Sequence, residues 1–453
     1  MKIGRRGFLG LAAASALAPL TLRAAPPPSA ALEAHRASRN TWLGPAGGRV
    51  RVEAKLPLDK SYPGAPRLRL PDRAHPGSRS LAATLGDDTA QCRFSREPIP
   101  LEELAWLLHL TNGVTGVVRG SDPPELRRAA PSAGALYAGE LYVVAERVRG
   151  LGAGVYAYAV AEHALVEIRP GRALAAVAAA VQGERACDDA AAVVLVANVF
   201  ERYTGKYGRR GWRYAFLDTG HIGENLRLAA ASAGFADASP LGFDEARLNA
   251  LLGLDAARES VGALHALGRP PLRPSPPRAP AAGATVEACI MARRSALGFR
   301  DEVIAESDLA RVLAMAQGQP GAGVELRVFV HRVTGLPAGL YRYRPGEQRL
   351  EPLRLRDDAT RLVRACLFQS MAGSAAAAIV CAGDLVAAES ELGYRALLLE
   401  AGAIAERVYL AAEALGLAAR NLAAFVDDTL DDLLELDGEA HAAIHLTLVG
   451  VEV

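Results

Sequence analysis

The chain has 453 residues, about half of them apolar, which is enough for two domains that each bury a core. With 51 basic and 50 acidic residues the formal net charge is +1, which argues against a nucleic-acid-binding protein. The five cysteines, at positions 92, 187, 289, 366 and 381, are too widely spaced for a disulfide framework, a zinc site or a CxxC redox pair.

The first thirty residues are predicted to be an export signal. Arg5 and Arg6 precede an apolar run of about fourteen residues, Leu9 to Leu22, which is too short to span a membrane. This pattern resembles a twin-arginine signal and predicts a periplasmic protein that is exported folded, commonly with a cofactor already bound. The alternative is a chance arginine pair before a core helix. Residues 31–80 are rich in Pro, Arg and Gly, and we expect an extended lead-in lying over the surface.

Two copies of one domain are predicted to follow, at 81–269 and 286–453, joined by a Pro-rich linker at 270–285. Segments 212–234 and 394–416 match at a constant offset of 182 residues, as from Gly220 to Gly402. Segment 140–158 likewise matches 325–343, and 92–108 matches 297–313. The residues that recur at the offset of 182 are Arg213, Leu217, Gly220, Ile222, Glu224, Leu228, Ala229, Ala230 and Gly234.

Each copy is predicted to contain the same elements in the same order: a helix, a strand, a Gly-turn hairpin, a second strand, a long helix and a closing strand. In the first copy these are 101–110, 140–145, 150–168, 191–199, 212–233 and 262–268, and in the second 306–316, 325–330, 335–353, 376–381, 394–415 and 444–453. This mixture indicates an α+β fold. The long helices are apolar almost all round, so we expect them to be buried against each other at the centre of an intramolecular pseudo-dimer in a monomeric chain.

Several segments resemble the SagB/ThcOx-type dehydrogenases of the nitroreductase superfamily. The first copy carries the resemblance at 128–145, 154–168, 206–235 and 239–255, and the second carries it more weakly, most clearly in ARRSALGF at 292–299. The resemblance implies two nitroreductase-like α/β sandwich domains with mainly antiparallel sheets. It also implies FMN as the cofactor, because members of this superfamily hold FMN between two protomers.

The FMN phosphate needs guanidinium and hydroxyl donors, and Arg293, Arg294 and Ser295 are expected to supply them at the entry of a helix. The isoalloxazine ring needs close backbone donors without bulky side chains. A loop of small residues is expected to provide them, consisting of Pro131, Ser132, Ala133, Gly134 and Ala135. In the family the two elements come from different protomers, and here each occurs once, in opposite copies.

The mirror site lacks both elements. Asp88, Thr89 and Ala90 stand where the second copy has Arg293, Arg294 and Ser295, and an acidic residue would repel phosphate. After Met315 the second copy runs almost directly into its strand, without the small-residue loop. We therefore expect one FMN per chain.

A catalytic base is expected at Lys206 and Tyr207, which match a Lys-Tyr pair of the azoline-oxidising branch of the family. Nearby Lys and Arg charges would favour the Tyr207 phenolate. The second copy has Ala388 and Glu389 at these positions. The alternative is a solvated basic turn before a helix.

Other candidates carry less chemistry. His221 is expected to be a hydrogen-bonded interior histidine, and His441 and His445 have no third ligand nearby, so no metal site is predicted. The turn at 240–243 resembles the flavin-edge turn of the family, and its copy at 422–425 has lost Pro and Gly, although the backbone N–H of Ala424 could still serve.

Three functions remain open. The first is an FMN-dependent dehydrogenase that oxidises azoline-like rings in a modified peptide. The second is a general nitro or quinone reductase, and the third is a non-catalytic domain pair that binds flavin or a partner.

Overall fold

The computed structural model describes residues 29–42, 44–45, 57–72, 79–86, 93–118, 125–181, 185–271, 283–317 and 323–453. The predicted signal up to residue 28, the Asp88-Thr89-Ala90 segment, Cys92 and most of the Pro-rich linker lie outside these ranges. The helices are α1 Ala30–Ala37, α2 Leu81–Leu85, α3 Leu101–Asn112, α4 Leu174–Ala180, α5 Glu201–Tyr207, α6 Arg210–Ser232, α7 Glu245–Leu252, α8 Val286–Ala292, α9 Glu306–Gln317, α10 Ala359–Ala365, α11 Met371–Ser374, α12 Leu385–Ala388, α13 Glu391–Ala414 and α14 Asp427–Leu434.

The strands comprise several two-residue pairs and the members of two large sheets. They are β1 Asn40–Thr41, β2 Gly44–Pro45, β3 Arg67–Arg69, β4 Ile99–Pro100, β5 Val114–Val118, β6 Glu125–Arg128, β7 Gly139–Ala145, β8 Val148–Arg149, β9 Gly154–Ala159, β10 Ala164–Pro170, β11 Ala192–Val199, β12 Ala236–Ala238, β13 Glu259–Gly268, β14 Val324–Val330, β15 Gly339–Arg344, β16 Arg349–Arg354, β17 Ala377–Asp384, β18 Ala418–Asn421 and β19 His441–Gly450.

Two antiparallel sheets repeat one topology. The first has the order β12-β13-β11-β7-β9-β10-β3, and the second has the order β18-β19-β17-β14-β15-β16. Corresponding strands carry corresponding irregularities, since β11 shifts register against β13 between Val196 and Ala197, as β17 does against β19 between Cys381 and Ala382. The predicted α+β fold with two similar domains is therefore confirmed.

Every element predicted for the two copies is present, with ends that differ by a few residues. The central strands β7, β11 and β17 are Val- and Ala-rich and buried along almost their whole length, which fits strands covered on both faces. The long helices are α6 and α13, each of which starts a little earlier than the periodicity predicts. None of the helices in the described ranges has the length and apolar character needed to cross a membrane.

The helices α6 and α13 pack against each other, as predicted, at the centre of a pseudo-dimer. Their crossing is set by Gly220 and Gly402, the pair related by the offset of 182 residues. A Cβ atom on Gly220 would lie 2.1 Å from the Leu399 carbonyl oxygen, and one on Gly402 would lie 2.1 Å from that of Leu217. Only glycine permits this approach, so the repeated residue is explained by the helix contact.

The lead-in differs from the extended surface segment that was predicted. It begins with α1, whose N-cap Ser29 accepts a hydrogen bond from the Leu32 N–H, and His35 of this helix is fully buried. Contacts of Asp427 explain why the lead-in is not extended on the surface. The Asp427 carboxylate forms ion pairs with Arg210 and Arg213 of α6 at 2.7 and 2.8 Å and accepts a hydrogen bond from the Asn40 N–H at 2.9 Å. A buried carboxylate of this kind needs several donors, and the lead-in supplies one of them.

Candidate functional site

A cavity of about 280 Å³ lies at the seam between the two domains. We call it the seam cavity. From the first domain it is lined by Pro131, Ser132, Ala133, Gly134, Tyr207, Tyr214, Leu217, Asp218 and His221, and from the second by Ser295, Gln369, Tyr409, Arg420, Asn421, Leu422, Ala423, Ala424 and His445. Polar side chains from both domains therefore converge on one space, the usual character of a ligand site.

The small-residue loop at 131–135 forms one wall of the seam cavity, although Ala135 is not among the lining residues. Gly134 has φ +63°, and a Cβ atom there would lie 2.3 Å from the Tyr207 hydroxyl and 2.8 Å from Lys206 Nζ. Ser132 Oγ accepts from the Tyr137 N–H at 2.8 Å and is 2.6 Å from the Tyr203 hydroxyl. The glycine thus lets the predicted catalytic pair approach the loop.

The arginines Arg293 and Arg294 do not line the seam cavity, whereas Ser295 does. Arg293 is buried, donates to the carbonyl oxygens of Ala129 and Arg128 at 2.7 and 3.1 Å, and lies over the Tyr409 ring. Arg294 is about half exposed and pairs with Glu452 at 2.5 Å. Arg293 therefore joins the second domain to the base of the small-residue loop in the first.

The expectation that these residues open a helix is wrong. Arg293 is the C-cap of α8, and Ser295 forms an isolated parallel bridge with Ala419 beside β18. These three residues therefore do not lie at a helix N-terminus. Their predicted role as phosphate ligands remains a prediction.

The predicted catalytic pair ends helix α5. Lys206 Nζ lies 5.2 Å from the centre of the Tyr207 ring, and Tyr207 meets the Tyr214 ring edge-on at 4.9 Å. The prediction that Tyr207 is a phenolate is wrong, because burial, together with the charge of Asp218, raises the pKa of Tyr207 to about 12. Burial outweighs the neighbouring positive charges, so Tyr207 holds its proton at neutral pH.

His221 of the cavity lining joins Glu406 and Asn421 in a chain of polar contacts. Its Nδ1 is 2.8 Å from Glu406 Oε2, and its Nε2 is 2.9 Å from Asn421 Nδ2. Burial lowers the pKa of His221 to about 3 and raises that of Glu406 to about 8. His221 is the hydrogen-bonded interior histidine that was expected, and it is neutral at ordinary pH.

Sequence reasoning missed several residues of the seam cavity. Asp218 accepts hydrogen bonds from the Tyr203 hydroxyl and, at 3.2 Å, from the Ala133 N–H, and burial raises its pKa to about 7. Arg420 and His445 come from β18 and β19, and Gln369 donates to the Ala424 carbonyl oxygen at 3.2 Å. Asp218 and Tyr409 could have been found where the two copies differ, since their counterparts at the offset of 182 are Glu400 and Arg227.

Those counterparts belong to a network of four charged residues that we call the mirror network: Glu224, Arg227, Glu400 and Arg407. Arg227 binds Glu224 through two nitrogens at 2.7 and 2.9 Å. Arg407 joins the two acids, at 3.3 Å from Glu224 and 2.8 Å from Glu400. Ion pairs around the buried Glu224 and Arg407 therefore include the counterparts of two residues that line the seam cavity.

The residues of the seam cavity fit a flavin in part by their small side chains and in part by their polar groups. His445 is buried, and neither of its ring nitrogens has a hydrogen-bond partner among the described residues. Groups of this kind usually meet a ligand or water. The hydroxyl and amide groups of Ser132, Ser295 and Asn421 suit the polar edge and the sugar-like chain of a flavin.

Other groups near the cavity have structural partners. Glu140, which follows the small-residue loop in the sequence, is buried and pairs with Arg202 at 2.6 Å. In the described ranges no three His, Cys, Asp or Glu side chains are grouped so as to hold a metal ion.

Comparison with known proteins identifies the domain that is repeated. The Nitroreductase family model matches residues 91–269 and 290–450, which together make up most of the chain. The nitroreductase-type protein MJ1384 of Methanocaldococcus jannaschii is 33% identical over 159 residues, which is 35% of this chain and 77% of that protein.

A solved structure shows the same fold over nearly the whole chain. A nitroreductase-type protein of Anabaena variabilis is 23% identical, with a TM-score of 0.78, over 94% of this chain and all of that one. Another, from Ralstonia eutropha, covers 49% of this chain and 98% of its own, at 20% identity and a TM-score of 0.37. The chain belongs to the nitroreductase family, and it contains the family's domain twice.

Proposed function

We propose that this protein is an FMN-dependent oxidoreductase that binds one flavin in the seam cavity. The observation that carries the proposal is the convergence of Ser132 and Gly134 of one domain with Ser295 of the other on one space, at the position where the family resemblance implies FMN. When bound, a flavin accepts or delivers a hydride, which is the chemistry that no amino-acid side chain supplies.

The residues of the chain would bind, orient and handle protons around that group. The small-residue loop would present its small side chains and those backbone N–H groups that are not already bonded, as the Ala133 N–H is to Asp218. Ala424 would offer an N–H from the second domain. Arg293 holds the segment just before the loop against the second domain through the carbonyl oxygens of Arg128 and Ala129. Lys206 and Tyr207, packed on Gly134, would face the substrate as the proton-handling pair.

For the finer activity we propose a SagB-type dehydrogenase that oxidises an azoline-like ring in a modified peptide. This reaction removes a proton from a ring carbon and so needs a base, a role assigned to Lys206 with Tyr207. The resemblance at 131–137 and at Lys206-Tyr207 supports it.

A second candidate is the reduction of nitro compounds or quinones. It is favoured by the protonated state of Tyr207, whose pKa of about 12 suits a proton donor better than a proton acceptor. Under this candidate the same tyrosine delivers a proton to the reduced substrate.

We also propose that the chain acts in the periplasm as a monomer after twin-arginine export. The arginine pair and apolar run near the N-terminus support export, and the internal pseudo-dimer supports the monomer. In the periplasm a nitro or quinone reductase would need an electron donor other than NAD(P)H, whereas the dehydrogenase takes its electrons from the substrate. This requirement distinguishes the two candidates.

The first test is the visible spectrum of the purified protein. A flavin spectrum is expected, whereas a colourless protein that also fails to bind added FMN would leave only the non-catalytic domain pair. Turnover is then compared with an azoline-containing peptide and with a nitro compound or quinone plus an artificial electron donor. Consumption of the azoline alone supports the dehydrogenase, and reduction alone supports the second candidate.

A further inference from the structure

An arginine that the motifs did not indicate lies in the wall of the seam cavity. Arg420 belongs to β18 and is partly exposed, and it lines the cavity together with Ser295 and Tyr409. Its place is fixed by the register of the neighbouring segment. Ser295 bridges Ala419 in parallel, the Ala296 N–H donates to the Ala419 carbonyl oxygen at 2.9 Å, and Arg420 Nη1 donates back to the Ala296 carbonyl oxygen at 2.6 Å.

The two arginines of the motif are less available than Arg420. Arg293 already uses Nε and Nη2 on the carbonyl oxygens of Ala129 and Arg128, and Arg294 is paired with Glu452. Within the described part of the chain, no carboxylate pairs with Arg420, so most of its five N–H donors are free for a ligand. A guanidinium of this kind in a ligand cavity suits an oxyanion.

Hydroxyl groups and a histidine surround the same part of the cavity. Ser295 Oγ is 2.8 Å from the Tyr409 hydroxyl, which in turn accepts from the Asn421 N–H at 2.9 Å. Both ring nitrogens of His445 are buried without a described partner. The arrangement therefore offers one positive charge and several neutral hydrogen-bonding groups.

We propose that Arg420, together with Ser295, binds the phosphate monoester of the flavin, in the role that the sequence motif gives to Arg294. The inference rests on the proposed binding of FMN in the seam cavity. It explains how the second domain can hold a phosphate although its C-terminal segment 449–453 has no basic residue. It also identifies the ligand chemistry as a phosphate monoester rather than an anionic group of the substrate.

The test compares FMN with riboflavin, which differs from it only by lacking the phosphate. Both flavins are titrated into flavin-free full-length protein and into three variants, Arg420→Met, Arg294→Met and, as a control, Arg349→Met, whose exposed side chain lies in β16. Arg420→Met is expected to weaken FMN binding about tenfold or more, since charge-assisted hydrogen bonds are lost. Riboflavin affinity should change by less than about threefold, which also shows that the variant is folded.

Two results would overturn the inference while leaving the proposed function in place. One is that Arg420→Met prefers FMN over riboflavin as strongly as the unsubstituted protein does. If this variant also had a raised KM for an anionic substrate, Arg420 would bind the substrate instead. The other is loss of that preference in Arg294→Met but not in Arg420→Met. If the unsubstituted protein binds neither flavin, the proposed function itself fails and this inference fails with it.

Discussion

At the scale of single residues, burial decides the protonation of the site more than neighbouring charge does. The pKa of Tyr207 is raised despite the adjacent Lys206, and the pKa of Asp218 is raised to about 7 despite the Tyr203 and Ala133 donors. His221 and His445 are neutral for the same reason. Tyr207, His221 and His445 of the seam cavity are therefore uncharged near neutral pH.

The raised pKa of Asp218 makes a prediction about stability and pH. A carboxyl that is protonated more readily when folded stabilises the fold fully below its unfolded pKa, and this contribution is lost as pH rises from about 4 to about 7. Asp218→Asn should lack this loss, so its stability relative to the unsubstituted protein should increase across that range. Urea denaturation of the two flavin-free proteins at several pH values measures this difference in the free energy of unfolding. Parallel stability curves would contradict the raised pKa, and Asp301→Asn, whose carboxylate is exposed, is the control.

The predicted catalytic pair can be separated from flavin binding. Lys206→Met and Tyr207→Phe each remove one proton-handling group but leave the backbone of the small-residue loop in place. We expect both variants to retain flavin, as measured by absorbance, and to lose activity by about a hundredfold or more. Full activity in the double variant would move the proton-handling role to another residue, for which Asp218 is the first candidate.

At the scale of elements, the contact between α6 and α13 holds the two domains together and shapes one wall of the cavity. Both helices carry a glycine at the crossing point, and the backbone carbonyl of the partner helix fills the space that a side chain would need. Replacing either glycine even by alanine should therefore disturb the crossing of the two helices.

Gly402→Ala should destabilise the protein by about 1–3 kcal/mol or more, because a methyl group there overlaps the Leu217 carbonyl oxygen. Gly205→Ala is the matched control, since it also lies within a helix but no atom lies within 4 Å of its added Cβ. That control should be neutral or slightly stabilising, by up to about 1 kcal/mol. Thermal denaturation measures the stability of both variants. Equal changes in stability would contradict a tight helix crossing at Gly402.

The elements could be predicted because their signals are local and appear twice. The periodicity of α6 and α13 and the Val-rich strands are readable within each copy, and the offset of 182 residues strengthens both. The helix α1 was missed because its place depends on Asp427, which is nearly 400 residues away in the sequence. Arg420, and the place of His445 in the cavity, were missed for a related reason, because both side chains reach the cavity through the pairing of strands within the second sheet.

At the scale of the whole molecule, the two domains are related by a pseudo-twofold axis but have diverged at its two potential sites. One site has the small-residue loop, Ser295 and a cavity. At the other, Arg227 and Glu400 replace Tyr409 and Asp218 and join Glu224 and Arg407 in the mirror network. Displacing one partner of a buried ion pair is costly, so we expect no ligand to bind beside the buried Glu224 and Arg407.

The number of flavins bound per chain tests this account most directly. Full-length protein is saturated with FMN, freed of excess, and its flavin absorbance is compared with protein concentration from amino-acid analysis. One FMN per chain is predicted, because in the described part of the chain the seam cavity is lined by both domains, whereas the mirror network stands at the equivalent position. Two per chain would contradict the closure of the mirror site, and none would contradict the seam cavity as a flavin site.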